Sequence, residues 1–395
     1  MPIAILLKDF NNAPLRAVGQ IYCRREGEIT PLQAVTDESG LLAFDAAAAR
    51  PEMQVVFSGG GHWTLMLDAT QPPDELVCPV LPDGGDRMWW HEVMGIETPD
   101  PTAGDGIAVG VVDTPCPRLA GIEHVTMLNL SGKKYAPASA SLPSHGEMVC
   151  RLIGQRMDDP HRFGGLAPGA MITCINAESD ASLNPAIVSA AIVKLARDFD
   201  CDLINLSAGR FNPTQGIRQA ISEAREYGTL CIVAAGNEPR DHVSYPARYS
   251  ECIAVGAIGL KGWGPPQSHA RYLSDWASSR PERVGRMGTL DLFHCPHSAY
   301  GAGLNVVGPG VGLIIYRDTV PVCDATGTSF AAPLVTGIMA RILSKSDTYK
   351  DIPRSAERTV FAEELLRSVC QRTGLGVERE GLGLPRLPLR VTAPN

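Results

Sequence analysis

Ile107-Ala108-Val109-Gly110-Val111-Val112-Asp113 is the stretch on which the fold turns. A run of apolar and small residues ends abruptly in a carboxylate. A strand with one wet face would alternate apolar and polar residues. This one does not, so both its faces must be covered, as in a parallel sheet flanked by helices. Residues 171–175, 203–206, 231–235 and 253–258 read the same way. Between these runs the period lengthens to that of a helix. Val188, Ile192, Leu195 and Phe199 share one face, as do Ile217, Ala220, Ile221 and Ala224, with Gly228 placed to end the second helix. Strands alternating with helices predict an α/β domain over residues 86–395, with a mainly parallel sheet and helices on both faces.

Two regions depart from this rhythm. Residues 1–85 read as short strands (3–10, 18–24, 32–36, 41–44, 53–58 and 64–67), with Asp37-Glu38-Ser39-Gly40 as a hairpin turn. They predict a small all-β, sandwich-like domain, either a retained accessory module or a pro-domain. Residues 68–86, rich in Pro, Asp and Gly, read as a linker. Residues 259–300 are too long and polar for an ordinary connection and read as an insertion. Trp263, Arg271, Tyr272, Trp276 and Arg280 give the insertion the composition of an interface, so it is expected either to shape substrate choice or to pack away from the cleft as a stabilising cover. The insertion and the N-terminal domain are the expected places for a protein partner.

Composition removes several classes of function. The 395 residues carry 35 Lys+Arg against 43 Asp+Glu, a net charge of −8, which disfavours nucleic acid as a partner. No run approaches the ~18 apolar residues of a membrane span. Eleven cysteines are scattered without a C-x-x-C pair, and the first residues lack the basic start of a secretion signal. The expectation is a cytoplasmic protein with free thiols. No Cys/His spacing suggests zinc, and no Gly-rich loop suggests a phosphate site.

Four short motifs carry the chemistry. Asp113 ends the first strand, where sites in open α/β sheets lie. His145 opens a helix in Ser144-His145-Gly146-Glu147-Met148. Asn237 follows Ala234-Ala235-Gly236. Ser329 stands in Gly327-Thr328-Ser329-Phe330-Ala331-Ala332-Pro333, at the head of an apolar helix whose unpaired N–H groups suit a developing oxyanion. Taken singly, each has a plain reading as a cap or a turn residue.

Taken together and in this order, they resemble the subtilisin-like serine peptidases, in which acid, base and nucleophile follow one another as Asp, His and Ser. Gly165-Leu166-Ala167-Pro168, Asp202-Leu203-Ile204-Asn205-Leu206-Ser207-Ala208-Gly209 and Tyr245-Pro246-Ala247 resemble further turns and strands of that family. The resemblance implies an endopeptidase working through an acyl-enzyme. Ser329 would attack, His145 would move the proton and Asp113 would orient the imidazole. Asn237 and the Ser329 backbone N–H would hold the oxyanion. Ser207, Ala208 and Gly209 would form one wall of the substrate cleft, Ala235 and Gly236 the other, and Ser244 the floor. Asn205 would either support the site from behind or be a plain buried strand residue. Glu238, Arg240 and Asp241 in the adjoining loop leave a basic or an apolar preference open.

No cofactor is needed for this chemistry. Calcium, which members of the family often bind, stays unassigned, because Asp158 and Asp159 stand beside His161 and Arg162. Two departures stand out: Asp113-Thr114-Pro115 for the usual Asp-Ser/Thr-Gly, and His145-Gly146-Glu147-Met148 for His-Gly-Thr-His. A catalytically silent binding protein and an acyl-transferring ligase on the same triad are the competing functions. The expected role is intracellular processing of a specific protein or peptide.

Overall fold

The computed structural model describes residues 3–9, 11–25, 28–44, 54–68, 71, 73–132, 142–179 and 182–388. The strand Ala108–Asp113 is buried along its whole length inside a nine-stranded sheet. Met171–Asn176 pairs with it in parallel on one side and Leu203–Leu206 on the other. Thr126–Asn129 adds beyond the former. Leu230–Ala234, Ile253–Leu260 and Val306–Pro309 continue beyond the latter, all in parallel. The chain thus starts in the middle of the sheet, builds one side, then returns to build the other. The crevice this leaves sits at the carboxyl end of Ala108–Asp113, where Asp113 emerges.

Helices cover the sheet in pairs, with His145–Gly154 packed against Thr328–Leu343 and Pro185–Arg197 against Gln215–Glu226. Gly110 turns toward Leu195 of one pair and Gly308 toward Ala331 and Val335 of the other. Asn184 caps Pro185–Arg197 by accepting from the Ala186 N–H, and Gly228, at φ 81°, ends Gln215–Glu226 as predicted.

The insertion is regular structure. Val284–Met287 and Leu290–His294 form a hairpin that extends the sheet antiparallel to Ile253–Leu260, preceded by the helix His269–Ser278. Trp263 serves the core. Its Nε1 donates to the Gly312 carbonyl at 2.8 Å, and its ring meets Trp63 and Trp90 edge-on at 5.5 and 6.4 Å. Trp276 carries the Arg280 guanidinium at 3.6 Å over its face.

Upstream lie two sheets. One holds Leu41–Phe44, Ile3–Lys8 and Glu75–Val77, and the other Glu28–Val35, Ala17–Arg25, Gln54–Gly59 and Leu65–Asp68. Phe10 and Met53, predicted strand ends, lie outside the described residues, as do residues 389–395 of the predicted larger domain. Two local expectations need correction. Asp37-Glu38-Ser39-Gly40 is a corner between the two sheets and not a hairpin, because Glu28–Val35 and Leu41–Phe44 belong to different sheets. Its turn chemistry is as expected: Asp37 Oδ1 accepts from Ser39 and Leu41, and Gly40 has φ 81°. The supposed linker includes Glu75–Val77, which pairs in parallel with Ile3–Lys8.

The N-terminal sheets are welded to the larger domain. Met66 N–H donates to the Gln267 carbonyl at 2.9 Å, His269 N–H to Thr64 at 2.7 Å and Gly61 N–H to Val322 at 2.8 Å. Thr64 N–H reaches the half-buried Asp324 carboxylate at 2.6 Å. Ile5, Leu7, Leu42 and Leu65 belong to the same continuous core as the central sheet.

Candidate active site

His145 is the first residue of its helix, capped by Ser144, whose Oγ accepts from the Glu147 N–H at 3.2 Å. That helix is clamped to the loop after Asp113. The Gly146 N–H donates to Thr114 Oγ1 at 2.8 Å, and a Cβ on Gly146 would stand 2.1 Å from the Thr114 carbonyl, so only glycine permits the approach. The clamp brings His145 Nδ1 to 2.7 Å from Asp113 Oδ1, which also accepts from the Thr114 N–H at 2.7 Å. Asp113 is buried. Burial pulls the His145 pKa down, but the Asp113 charge and hydrogen bond outweigh it and raise the value above the ordinary imidazole range. Nδ1 is therefore engaged, and Nε2 is left as the working nitrogen.

Glu147, in place of the family's Thr, is fully buried and ionically matched. Arg151 Nε donates to its Oε1 at 2.9 Å, and Arg317 reaches both oxygens at 2.9 Å. Arg317 ends Leu313–Arg317, one strand of the hairpin completed by Val320–Ala325, just before Ser329. The carboxylate thus joins the His145 helix to the segment that delivers Ser329. The sequence reading left Glu147 without a role; a charged residue one turn before Arg151 on an apolar helix was the available signal.

Ser329 lies in the first turn of Thr328–Leu343. Gly327 has φ 147°, and a Cβ there would stand 3.2 Å from Asn237 Nδ2. Pro333, inside the helix, lacks the N–H that would bond the Ser329 carbonyl four residues back. Ser207 Oγ fills the gap, donating to that carbonyl at 2.7 Å. Asn205 Nδ2 donates to Ser207 Oγ at 2.9 Å, and Thr336 Oγ1 donates to Asn205 Oδ1 at 3.1 Å. Asn205 is buried and linked through Ser207 to the Ser329 carbonyl. The Ser329 hydroxyl itself donates to the Ser207 carbonyl at 3.2 Å. Among the described residues no hydrogen bond joins it to His145, whose ring instead lies 5.2 Å from Phe330.

Asn237 is exposed at the mouth of the crevice. Its Oδ1 accepts from the Thr328 N–H at 2.8 Å and from Thr328 Oγ1 at 2.9 Å, so Nδ2 is free to face a ligand beside Ser329. Thr328, unremarked in the sequence, fixes the amide's orientation. Of the segments expected to wall the cleft, 207–209 continue Leu203–Leu206 and 235–236 continue Leu230–Ala234. Ser244 sits between them, its N–H donating to the Ala235 carbonyl at 2.8 Å. The segment 298–300 backs the second wall, with Ala299 N–H donating to Gly236 at 3.0 Å and Tyr300 N–H to Arg240 at 3.0 Å.

Cys116, Cys150 and Cys174 are buried nearby, and Cys174 Sγ donates to the Thr114 carbonyl at 3.9 Å. The neighbouring Cys150 and Cys174 thiols lower the Cys116 pKa against the effect of burial. At Asp158–Asp159 the donors do not suit calcium: Asp159 Oδ1 accepts from the His161 N–H and Oδ2 faces Arg162 Nε at 3.7 Å. Among the described residues no three His, Cys, Asp or Glu side chains form a metal site. No described helix is long and apolar enough to cross a membrane.

A buried carboxylate on an imidazole, a serine at a helix head and an outward amide form a constellation suited to acyl transfer. Comparison with known proteins agrees. The sequence model of the Subtilase family matches residues 104–374. M-protease of Shouchella clausii (strain KSM-K16) is 26% identical over 253 residues, covering 63% of this chain and 57% of the relative, so the chain spans little more than half of that protein. Subtilisin Savinase of Lederbergia lenta is 26% identical over 63% of this chain and 80% of the relative. The major intracellular serine protease of Bacillus subtilis (strain 168) is 25% identical over 68% and 76%. Among solved structures, the prenylagaramide maturation protease PagA shares the fold with a TM-score of 0.52 at 20% identity, covering 75% of this chain and 95% of PagA. The self-cleaved protease domain of PatA gives 0.52 at 20%, covering 72% and 95%. The chain belongs to the Subtilase family.

Proposed function

We propose that the protein is a serine endopeptidase in which Ser329, His145 and Asp113 form the catalytic triad. The observation that carries this reading is the 2.7 Å contact between His145 Nδ1 and the buried Asp113 carboxylate, next to a helix-head serine. Rotation of the Ser329 hydroxyl away from the Ser207 carbonyl would bring it to Nε2; catalytic hydrogen bonds commonly tighten only when substrate is bound. Nε2 then takes the hydroxyl proton as Oγ attacks the peptide carbonyl, and returns it to the departing amine. Asp113 holds the imidazolium without accepting its proton. Asn237 Nδ2 and the Ser329 N–H receive the oxyanion. Water, activated by the same imidazole, releases the acyl group. An extended peptide would pair its backbone with 207–209, adding a strand to the exposed edge there.

Intracellular processing of a specific protein fits the free state of ten cysteines from Cys78 to Cys370, and the name of the intracellular Bacillus relative. The N-terminal sheets, joined by backbone hydrogen bonds to 267–269 and 322, suit a retained module better than a leader to be shed. The test is labelling by a fluorophosphonate, with product masses measured on a cleaved peptide. A covalent adduct on Ser329, absent after Ser329→Ala, with hydrolysed products supports the reading. An unlabelled Ser329 would favour the silent binding protein, and products joined to an added amine would favour the ligase.

A further inference from the structure

The two cleft walls close on each other just beyond the nucleophile. A Cβ on Gly209 would stand 3.9 Å from Gly236 Cα, 3.4 Å from Ser244 Cβ and 3.8 Å from Ser244 Oγ. Adding one bond of ~1.5 Å, the two glycine Cα atoms are no more than about 5.4 Å apart. A flat ring or a branched chain lying between two carbons needs about 7–8 Å, twice the optimal carbon–carbon contact. Ser244 fills what space remains, since a Cβ on Gly236 would meet its Oγ at 2.3 Å. The gap is also stitched shut. Ser244 N–H bonds the Ala235 carbonyl at 2.8 Å, and Arg210 and Tyr245 exchange backbone bonds at 2.8 and 2.9 Å. At the outer end the Arg240 guanidinium lies 4.2 Å over the exposed Phe211 ring, tying one wall to the other. Arg240 is in turn held at 2.8 Å by Glu238, and Asp241 pairs with His242 at 2.9 Å; both acids lie outside the gap on the solvent side.

We infer that the subsite for the residue preceding the cut accepts only Gly, Ala or Ser, with Ser244 as its floor and the Phe211–Arg240 pair as its outer stop. The inference rests on Ser329 being the nucleophile, since that fixes which substrate residue faces the gap. Ala is the best fit, because its methyl group stops at the mouth. Larger side chains would have to part the walls and break the backbone stitches behind them.

The experiment uses tetrapeptide anilides that differ only in the residue before the anilide: Gly, Ala, Ser, Leu, Phe or Lys. Active enzyme is first counted by fluorophosphonate titration. The expected result is a kcat/KM for Ala at least 100-fold above those for Leu, Phe and Lys. In Ser244→Gly the Leu-to-Ala ratio should rise at least tenfold, and in Arg240→Ala the Lys-to-Ala ratio should rise as Phe211 loses its partner. Titratable enzyme that cleaves the Leu, Phe or Lys peptide within tenfold of the Ala peptide overturns the inference. So does titratable enzyme that cleaves none of them, or variants that leave both ratios unchanged. A protein that fails to titrate refutes instead the assignment of Ser329 beneath it.

Discussion

Glu147→Gln tests whether the link between the two halves of the site is electrostatic. The side chain keeps its shape and loses its charge. Arg317 is 20% exposed and can turn to water, but Arg151 is 1% exposed and cannot. Arg151 would retain the Ala120 carbonyl at 3.1 Å and otherwise stand as a buried, unmatched cation. Removing one partner of a buried pair costs about 3–5 kcal/mol, a large share of the 5–15 kcal/mol that holds a typical protein folded. The assay is urea unfolding of the variant, with the slope checked so that a midpoint shift reports stability. Arg317→Met should lose clearly less than Glu147→Gln, because Arg151 still neutralises the carboxylate. The triple replacement of Glu147, Arg151 and Arg317 by Leu or Met should recover much of the loss, since no charge is then stranded. A cost below about 1 kcal/mol for Glu147→Gln, or a triple variant less stable than the single one, would refute the argument.

Four further outcomes follow from the same geometry. Peptidase kcat/KM should rise with pH as His145 loses its proton, with a midpoint above the ordinary 6.5 because Asp113 favours the charged ring, and a midpoint below 6.5 contradicts this. The stabilisation from the charged pair has the opposite trend: it is complete below the unfolded histidine's pKa and disappears as pH rises through the higher folded value, which unfolding midpoints across pH 5–9 would reveal. Asn237→Asp keeps the acceptor for Thr328 but presents charge to the oxyanion, so turnover should fall by at least ~10²–10³-fold with folding intact by circular dichroism. Replacing 262–293 with a Gly-Ser link should impair a small ester as much as a protein substrate, because the segment completes the sheet and leads into the backing of Gly236; a loss confined to the protein substrate would instead support the recognition role.

The parallel sheet was legible because buried strands such as Ala108–Asp113 leave no polar face to misread. The four site motifs were legible because each needs a fixed backbone context: a strand end, a helix start, a turn, a helix head. The hairpin within the insertion was not legible. Val284-Gly285-Arg286-Met287 mixes glycine and charge, and it is a strand only because Leu290–His294 and the sheet edge are there to pair with it. Trp263 and Trp276 illustrate the same limit. An aromatic in a polar stretch reads as surface until its tertiary neighbours are known, and here those neighbours come from the N-terminal sheets and from the arginines of the same helix-turn. The corner at residues 37–40 was right in its turn chemistry and wrong in its topology, because local residues dictate a turn but not which sheet receives the next strand.

The bond from Thr64 to Asp324 spans 260 positions of chain. On a ribosome the first sheets emerge long before the hairpin that receives them. Long-range closures of this kind are slow and come late in folding. The two strands of that hairpin, the Glu147 clasp and the serine that follows are therefore expected to settle together, after Val320–Ala325 has been made. A peptidase built in this order would have a timer in its topology, with Asp113 and His145 synthesised early and the segment that carries Ser329 fixed only after the N-terminal sheets have docked on Val320–Ala325.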